Sequence, residues 1–163
     1  MKLVLALAVA AVAAGATTTG NRIPTAACGD SIHVINQPPP PAAKLVLGRV
    51  KMPRPDQVLD PAPPASPGAP RFAKHGWAVT PGAPVVLEVP RRYRRVAGLA
   101  FGRGRLGVPA LRLRPCPAFA RPWTSWPGGY YVLKPICVWI IVRADGRTAR
   151  VPVNVGRRCA RHA

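Results

Sequence analysis

The chain has 163 residues, a formal net charge of +19, four cysteines, and 24 Lys and Arg residues against 5 Asp and Glu. This length suits one domain with a sizeable core, and so few acids leave little material for chemistry based on paired carboxylates. The charge predicts attraction to polyanions, although high-GC coding bias also enriches arginine, and both explanations stay open here.

The first residues have the pattern of an export signal. Lys2 precedes an apolar run over 3–14, and Ala14-Gly15-Ala16 forms a small-x-small cleavage site. The run is shorter than the roughly 20 residues that a spanning helix needs. We therefore predict a signal peptide at 1–16, a secreted or extracytoplasmic location, and no transmembrane segment in the mature chain.

The next part of the mature chain divides by its proline content. Residues 17–52 are expected to supply N-terminal strands of the β domain, at 31–35 and 44–51. Residues 53–70 contain a proline at seven of eighteen positions, which excludes helix and central strand. This segment is predicted to be a surface arm or linker, with a PxxP partner motif as the alternative.

The main β domain is predicted over 71–163. Trp77 begins a strand that Pro81-Gly82 is expected to turn into a hairpin with 85–89. Further strands are expected at 96–101 and 130–133. At 111–114, leucine alternates with arginine, as in a half-buried strand.

The strongest local signal is Asp145-Gly146, a type I′ turn sequence between two β-branched runs. It places Val142 opposite Ala149 and Ile140 opposite Val151 on one apolar face. The other face carries Trp139, Ile141, Arg143 and Arg150. Pro152 cannot donate to a ladder, so its strand is predicted at a sheet edge or near a bulge.

These patterns predict an all-β fold, an antiparallel immunoglobulin-like β-sandwich of about nine short strands, preceded by a signal helix and carrying the Pro-rich arm. Four cysteines in an exported chain imply two disulfides, with three pairings open. We favour Cys137–Cys159, at the two ends of the hairpin, together with Cys28–Cys116.

Several short motifs occur in a characteristic order. They are Leu47-Gly48-Arg49-Val50, the run from Leu111 to Cys116-Pro117, Gly128-Gly129-Tyr130-Tyr131, Pro135-Ile136-Cys137, Gly146-Arg147-Thr148 and Val155-Gly156-Arg157-Arg158-Cys159. Over roughly 45–159 the chain thereby resembles a group of uncharacterised small arginine-rich exported proteins of high-GC bacteria. The resemblance implies a β domain with disulfides, and no activity.

Catalytic and metal signals are weak. Asp30, Ser31 and His33 have the residue types of a triad but lie in one short segment, whereas triads are assembled from separated segments. Cys159 and His162 lack a metal-binding spacing partner. We predict no catalytic residue, no metal and no cofactor, and keep a weak hydrolase at Asp30 and His33 as the least favoured hypothesis.

Two groups of residues remain as candidate binding sites. The first is the basic turn, formed by Arg91, Arg92, Tyr93, Arg94 and Arg95, where arginine forks can pair with anions and a tyrosine can stack. The second is the mixed hairpin face of Trp139, Ile141, Arg143 and Arg150. A solvated turn and second-layer packing are their respective alternatives.

The predicted function is a non-catalytic, disulfide-stabilised basic binding module, with an anionic envelope polymer or a surface protein as partner. The alternative is a cationic protein that binds nucleic acid or a membrane surface through charge. Trp123 and Trp126 are expected to cap the sandwich, with carbohydrate binding as their alternative.

Overall fold

The computed structural model describes residues 22–32, 45–101, 107–116 and 123–160, and these residues form an all-β domain with short 3-10 turns at Cys28–Asp30 and Arg91–Tyr93. The predicted signal segment at 1–16, His33 and His162 lie outside the described residues. The strands are β1 Thr25–Ala26, β2 Val50–Lys51, β3 Val58–Leu59, β4 Arg71–Lys74, β5 Trp77–Val79, β6 Val85–Glu88, β7 Ala97–Phe101, β8 Ala110–Leu113, β9 Thr124–Trp126, β10 Gly128–Val132, β11 Ile136–Ala144 and β12 Arg147–Val155.

The strands form three sheets. A six-stranded sheet has the order β1-β8-β6-β11-β12-β3, and two three-stranded sheets have the orders β4-β10-β7 and β2-β5-β9. Pairing is antiparallel except at the two ends of the large sheet, where β1 joins β8 and β3 joins β12 in parallel. The prediction of a wholly antiparallel arrangement is therefore wrong at these two edges.

The β11–β12 hairpin has the predicted register at every predicted pair. Val142 pairs with Ala149, Ile140 with Val151, and Trp139 with Pro152. Asp145 and Gly146 adopt φ values of 49° and 69°, as a type I′ turn requires. The local turn signal thus fixed which residues face the core.

Pro152 lies where its missing N–H costs no ladder bond. In a two-residue hairpin the closing pair is hydrogen-bonded and bonded pairs alternate, so the backbone of Pro152 faces away from β11. On that side β3 pairs only with Asn154 and Val155. The predicted edge position is therefore wrong for the strand as a whole, because β3 lies outside its end, but the part of β12 that contains Pro152 has no strand partner on that side among the described residues.

One hydrophobic core joins all three sheets. Its largest fully buried side chains include Trp77 and Trp126 from one small sheet, Tyr130 from the other, and Leu87 and Ile140 from the large sheet. Burying a leucine or isoleucine side chain fully contributes roughly 1.5–3 kcal/mol before entropy losses. Since the sheets share this core, they are stabilised as one unit.

Two predicted strand arrangements are wrong. Residues 44–51 were expected to form one strand, but Leu47 and Gly48 have φ values of 54° and 69°, and the chain turns back so that Val46 pairs with Val50. Trp77 and the 85–89 run were expected to pair as a hairpin. Instead β5 pairs with β2 and β9, whereas β6 pairs with β8 and β11.

Both favoured disulfides are confirmed, Cys28–Cys116 and Cys137–Cys159. The first closes a loop with a sequence separation of 88 and ties the turn after β1 to the end of β8. In the chain-entropy view the longer loop stabilises more, and each bridge contributes on the order of 3–5 kcal/mol.

Asn154 fixes part of the Pro-rich segment to the large sheet. This side chain is buried, and its Nδ2 donates hydrogen bonds to the carbonyl oxygens of Pro55 and Gln57 at 2.8 and 3.0 Å. Its Oδ1 accepts from the Cys159 N–H at 2.7 Å. Strand β3 follows directly, so residues 55–59 lie along the sheet edge.

Arg49 holds the hairpin turn in place. Its Nη1 donates to both carboxylate oxygens of Asp145 at 3.0 Å, and its Nη2 donates to the Ala83 carbonyl oxygen at 2.7 Å. Only 13% of this side chain is exposed. Arg49 is therefore a structural arginine, and its charge is neutralised within the fold.

Candidate binding surface

The outer face of the six-stranded sheet collects arginines from three strands. In register across β8, β6 and β11, Arg112 is opposite Val86, which is opposite Arg143. Arg150 of β12 is opposite Ile141 on the same face. All three arginines are exposed. We call Arg112, Arg143 and Arg150 the arginine array.

The spacing of the arginine array follows from sheet geometry. Adjacent strands lie about 4.8 Å apart, so the Cα atoms of Arg112 and Arg143 are separated by roughly 10 Å. Arg150 is a diagonal neighbour of Arg143, at roughly 7–8 Å between Cα atoms. A flat ligand with repeated negative charges can therefore contact more than one guanidinium at once.

Glu88 joins the two predicted binding sites into one surface. Its Oε1 accepts a hydrogen bond from Arg94 Nη2 of the basic turn at 3.0 Å, and its Oε2 pairs with Arg143 Nη2 of the hairpin face at 3.5 Å. The Arg143 side chain is 52% exposed despite this contact. The sheet register explains the bridge, because Glu88 is directly opposite Ile141.

The basic turn is ordered by its own side chains. Arg94 Nε donates to the Val89 carbonyl oxygen at 3.0 Å, and the Arg92 guanidinium carbon lies 4.7 Å from the centroid of the Tyr93 ring. Tyr93 is half-buried and packs against the core. Stacking of a ligand on Tyr93 would require Arg92 to move, whereas Arg91 and Arg95 are exposed.

Trp139 and Ile141 give the hairpin face its apolar content. Both side chains are half-buried, and Trp139 makes a contact within the protein. Ile141 lies between Glu88 and Arg150 in register. The accessible chemistry of this face is therefore mainly that of its arginines.

A groove of about 1010 Å³ lies beside the β4-β10-β7 sheet. The described residues that line it include Phe72, Phe101, Tyr131, Pro24, Pro127 and Asp30. Phe72 and Tyr131 are cross-strand neighbours with ring centroids 5.3 Å apart. Trp126 is fully buried and donates from Nε1 to the Ala27 carbonyl oxygen at 3.1 Å, so it packs in the core.

The segment considered for hydrolysis shows a structural role for its hydroxyl. Ser31 Oγ donates to the Cys28 carbonyl oxygen at 2.7 Å, which closes the 3-10 turn. Asp30 is exposed on that turn. Within the described ranges, no group of three His, Cys, Asp or Glu side chains could hold a metal ion.

His75 is a half-buried titratable group away from the arginine array. Its ring stacks on Tyr130 with centroids 6.1 Å apart, and its Nε2 is buried without a hydrogen-bond partner in the described structure. Burial lowers the pKa of the His75 imidazole from 6.5 to about 4, the charge of Lys51 acts in the same direction, and a backbone hydrogen bond to Lys51 opposes both. Burial also raises the pKa of the Tyr130 phenol, against a weaker opposing hydrogen bond from Trp77.

We expect the stability of the protein to fall as the pH drops from about 6.5 to 4. The unfolded chain binds a proton at His75 in this window, whereas the folded chain excludes it, so protonation favours unfolding. The loss attributable to His75 is on the order of 3 kcal/mol. Urea unfolding of the intact chain and of His75→Phe at pH 7 and pH 4 measures it, and parallel pH dependences would contradict the assignment.

The fold and this surface define a class, an all-β domain with two disulfides and a basic sheet face. Disulfides are typical of proteins that fold in an oxidising, extracytoplasmic environment. In the part of the chain that the structure covers, no helix is long and apolar enough to cross a membrane. No family model, curated protein or solved structure matches the chain.

The sequence predicts most residues of this surface, but as separate groups. It identified the basic turn and Arg143 and Arg150, and it expected Arg112 on an outward face. It assigned no role to Glu88 and did not find the groove around Tyr131. Both depend on which strands pair, and the sequence signal for β6 pointed to the wrong neighbour.

Proposed function

We propose that this chain is an extracytoplasmic, non-catalytic binding module whose ligand is an anionic polymer of the cell envelope. The proposal includes a signal peptide at 1–16, membership of the arginine-rich exported group described above, and an immunoglobulin-like sandwich of the three sheets. The two disulfides and the shared core support an exported β domain. A surface protein remains the second kind of partner within this proposal.

The observation that carries the proposal is the arginine array on one sheet face. Arg112, Arg143 and Arg150 are exposed on that face. Glu88 is the acidic residue in the same cross-strand row as Arg150, because both are opposite Ile141. Arg112 and Arg143 are two strands apart and Arg150 is diagonal to Arg143, so their mutual repulsion is modest, and an anion bound between them contacts more than one positive charge. Arginine forks bind carboxylate and phosphate groups bidentately.

Glu88 reduces this repulsion but leaves the surface with a net positive charge. One carboxylate contacts both Arg94 and Arg143, and it leaves Arg112 and Arg150 without an acidic contact in the described structure. Arg94 and Arg143 are thereby held towards each other. These two side chains are positioned before a ligand binds, which lowers the entropic cost of binding at them.

The alternative function is binding of nucleic acid or a membrane surface through charge alone. The net charge of +19 supports it, because counterion release drives such binding for any sufficiently basic chain. The two functions differ in where the ligand binds on the protein surface. Charge-driven binding uses every exposed arginine, whereas the proposed site uses the arginine array.

A pair of charge-matched variants separates the two. The array variant replaces Arg112, Arg143 and Arg150 by serine, and the distal variant replaces Arg54, Arg157 and Arg158, which are exposed elsewhere. Both variants carry three fewer positive charges than the wild-type protein. We expect the array variant to bind polyphosphate at least about tenfold more weakly than the distal variant, because each charge-assisted hydrogen bond that is removed weakens binding.

The measurement is a titration of the intact full chain at fixed pH and salt. Circular dichroism and urea unfolding confirm that each variant folds. Equal losses of affinity in the two variants would contradict a localised site and favour the alternative. Unchanged binding in both would contradict polyanion binding through these arginines.

A further inference from the structure

We propose that the polymer is an acidic glycan, whose sugar rings lie in the groove beside Tyr131 and whose anionic groups pair with the basic turn. This inference rests on the proposed function and narrows its ligand class. It is carried by an aromatic groove and an arginine-lined pocket that share one side chain, Tyr131.

The groove presents aromatic rings on a floor of glycine backbone. Tyr131 is opposite Phe72 on one side and Gly98 on the other. A Cβ on Gly98 would lie 2.8 Å from the Gly107 Cα, so the backbone of Gly107 approaches β7 too closely for a side chain there. The rings of Phe72 and Tyr131 are half-buried, and both line the groove.

The polar groups of the groove suit hydroxyl-rich ligands. The groove is lined by Tyr131, which carries a hydroxyl, and by Asp30, which is exposed. A sugar ring has an apolar face of C–H groups that can pack on an aromatic ring, and hydroxyls at its edge that need partners. Tyrosine offers an apolar body with a polar end, and a carboxylate accepts hydrogen bonds.

The groove is continuous with a site for the anionic groups of the ligand. A smaller pocket of about 150 Å³ also has Tyr131 in its lining, together with Arg94, Arg95 and Leu133 among others. Arg95 is exposed, and Arg94 reaches from this pocket to Glu88 on the outer sheet face. A polymer that carries a sugar ring and an acid in each repeat can therefore occupy the groove and the basic turn together.

A ligand that binds through charge alone would not use the groove, and a ligand that binds through aromatic contacts alone would not use the arginines. A polyphosphate has no ring to place beside Tyr131, and a neutral glycan has no anion for Arg95. Proline-rich peptides also bind aromatic grooves, and they are one outcome of the test.

The test compares four probes on the intact full chain: oligogalacturonate as the acidic glycan, a neutral glucan of similar length, polyphosphate of matched charge, and a proline-rich peptide. Each is titrated against the wild-type protein, Tyr131→Ala, Tyr131→Phe, Arg95→Ser and the array variant. Arg95→Ser removes an exposed arginine of the basic turn and should weaken binding of oligogalacturonate, whereas unchanged binding would overturn the pairing of its acids with that turn. Tyr131→Phe keeps the ring and removes only the hydroxyl. It therefore tests whether Tyr131 contacts the glycan even where Tyr131→Ala folds poorly.

We expect the wild-type protein to bind oligogalacturonate at least about tenfold more tightly than the neutral glucan or the polyphosphate. Tyr131→Ala should weaken binding of oligogalacturonate about tenfold and binding of polyphosphate less than about twofold. Tyr131→Phe should weaken binding of oligogalacturonate about three- to tenfold, the worth of one hydrogen bond.

Equal affinity for oligogalacturonate and polyphosphate, or Tyr131 variants without effect on oligogalacturonate, would overturn the inference and leave the proposed function standing. Tighter binding of the neutral glucan or of the peptide in the groove would overturn it too. Failure of the proposed function has a different signature, since neither anionic probe would then bind more weakly to the array variant.

Discussion

Replacing Ile140 by aspartate is expected to unfold the protein. The Ile140 side chain is fully buried on the core face of β11, opposite Val151. An ionised carboxylate has no partner there, and burying one costs at least several kcal/mol, comparable with the whole stability of a domain. Far-ultraviolet circular dichroism and urea unfolding of the oxidised chain should show no cooperative transition at neutral pH.

The next residue provides a matched control. Ile141 faces the other side of the sheet, is half-buried, and is paired with Glu88 and Arg150. An aspartate at 141 is repelled by one neighbour and attracted by the other, so Ile141→Asp is expected to change stability by about 1 kcal/mol or less. Equal destabilisation by the two substitutions would show that the outer face is as buried as the core face, and would refute the location of the binding surface.

Gly129→Ala is expected to destabilise the protein by at least about 2 kcal/mol. A methyl group at this position of β10 would overlap the Ala73 carbonyl oxygen and approach Phe72 Cε2 to 2.8 Å. The Ala73 oxygen belongs to the neighbouring strand, so it cannot move without shifting the sheet. Urea unfolding at pH 7 measures the change.

Gly29→Ala is the control for this substitution. Nothing lies within 4 Å of a Cβ at Gly29, and its backbone is not in the left-handed region. The added methyl group should therefore leave the free energy of unfolding within about 0.5 kcal/mol of the wild-type value. A Gly129→Ala protein as stable as Gly29→Ala would mean that β4 and β10 are farther apart than the structure shows.

Local chemistry explains which parts of the fold could be predicted. Asp145-Gly146 selects one turn type, and a two-residue turn fixes the register of both strands, so a pair as distant from the turn as Ile140 and Val151 is predicted correctly. The alternation at 111–114 likewise placed Leu111 and Leu113 inside and Arg112 outside. The Cys137–Cys159 pairing followed from the ends of the same hairpin, which left Cys28 to pair with Cys116.

Nonlocal pairing explains what could not be predicted. Pro81-Gly82 satisfies the turn chemistry of a hairpin, yet the chain crosses between sheets there, because β5 and β6 each find better partners in distant segments. The 44–51 run contains alternating apolar residues, but Leu47 adopts a left-handed conformation that its residue type gives no reason to expect.

The same contrast between local signals and nonlocal strand pairing applies to the binding surface. The hairpin register gave the outward direction of Arg143 and Arg150, whereas their proximity to Arg94 depends on β6 lying beside β11. Asn154 was missed because its Nδ2 hydrogen bonds join segments nearly 100 residues apart. A buried asparagine in an otherwise apolar strand end is a signal for such an interaction, since a buried amide needs partners.

Coding bias and selection make different predictions for the arginines. Bias alone would distribute arginine over the exposed surface without regard to strand pairing. The array instead places Arg112, Arg143 and Arg150 on one face from three strands, and Arg49 is used internally. Binding measurements on the array and distal variants therefore test whether the position of the charge matters.

The most direct test of a localised anion-binding face is the salt dependence of DNA binding by the array and distal variants. Double-stranded DNA serves as a probe of known charge density, for which the slope of log K against log salt changes by roughly 0.9 for each phosphate that the protein no longer neutralises. We expect this slope to become shallower by roughly two to three units in the array variant relative to the wild-type protein, and by less than about one unit in the distal variant. Equal slopes in the two variants would contradict a localised anion-binding face and assign the affinity to net charge.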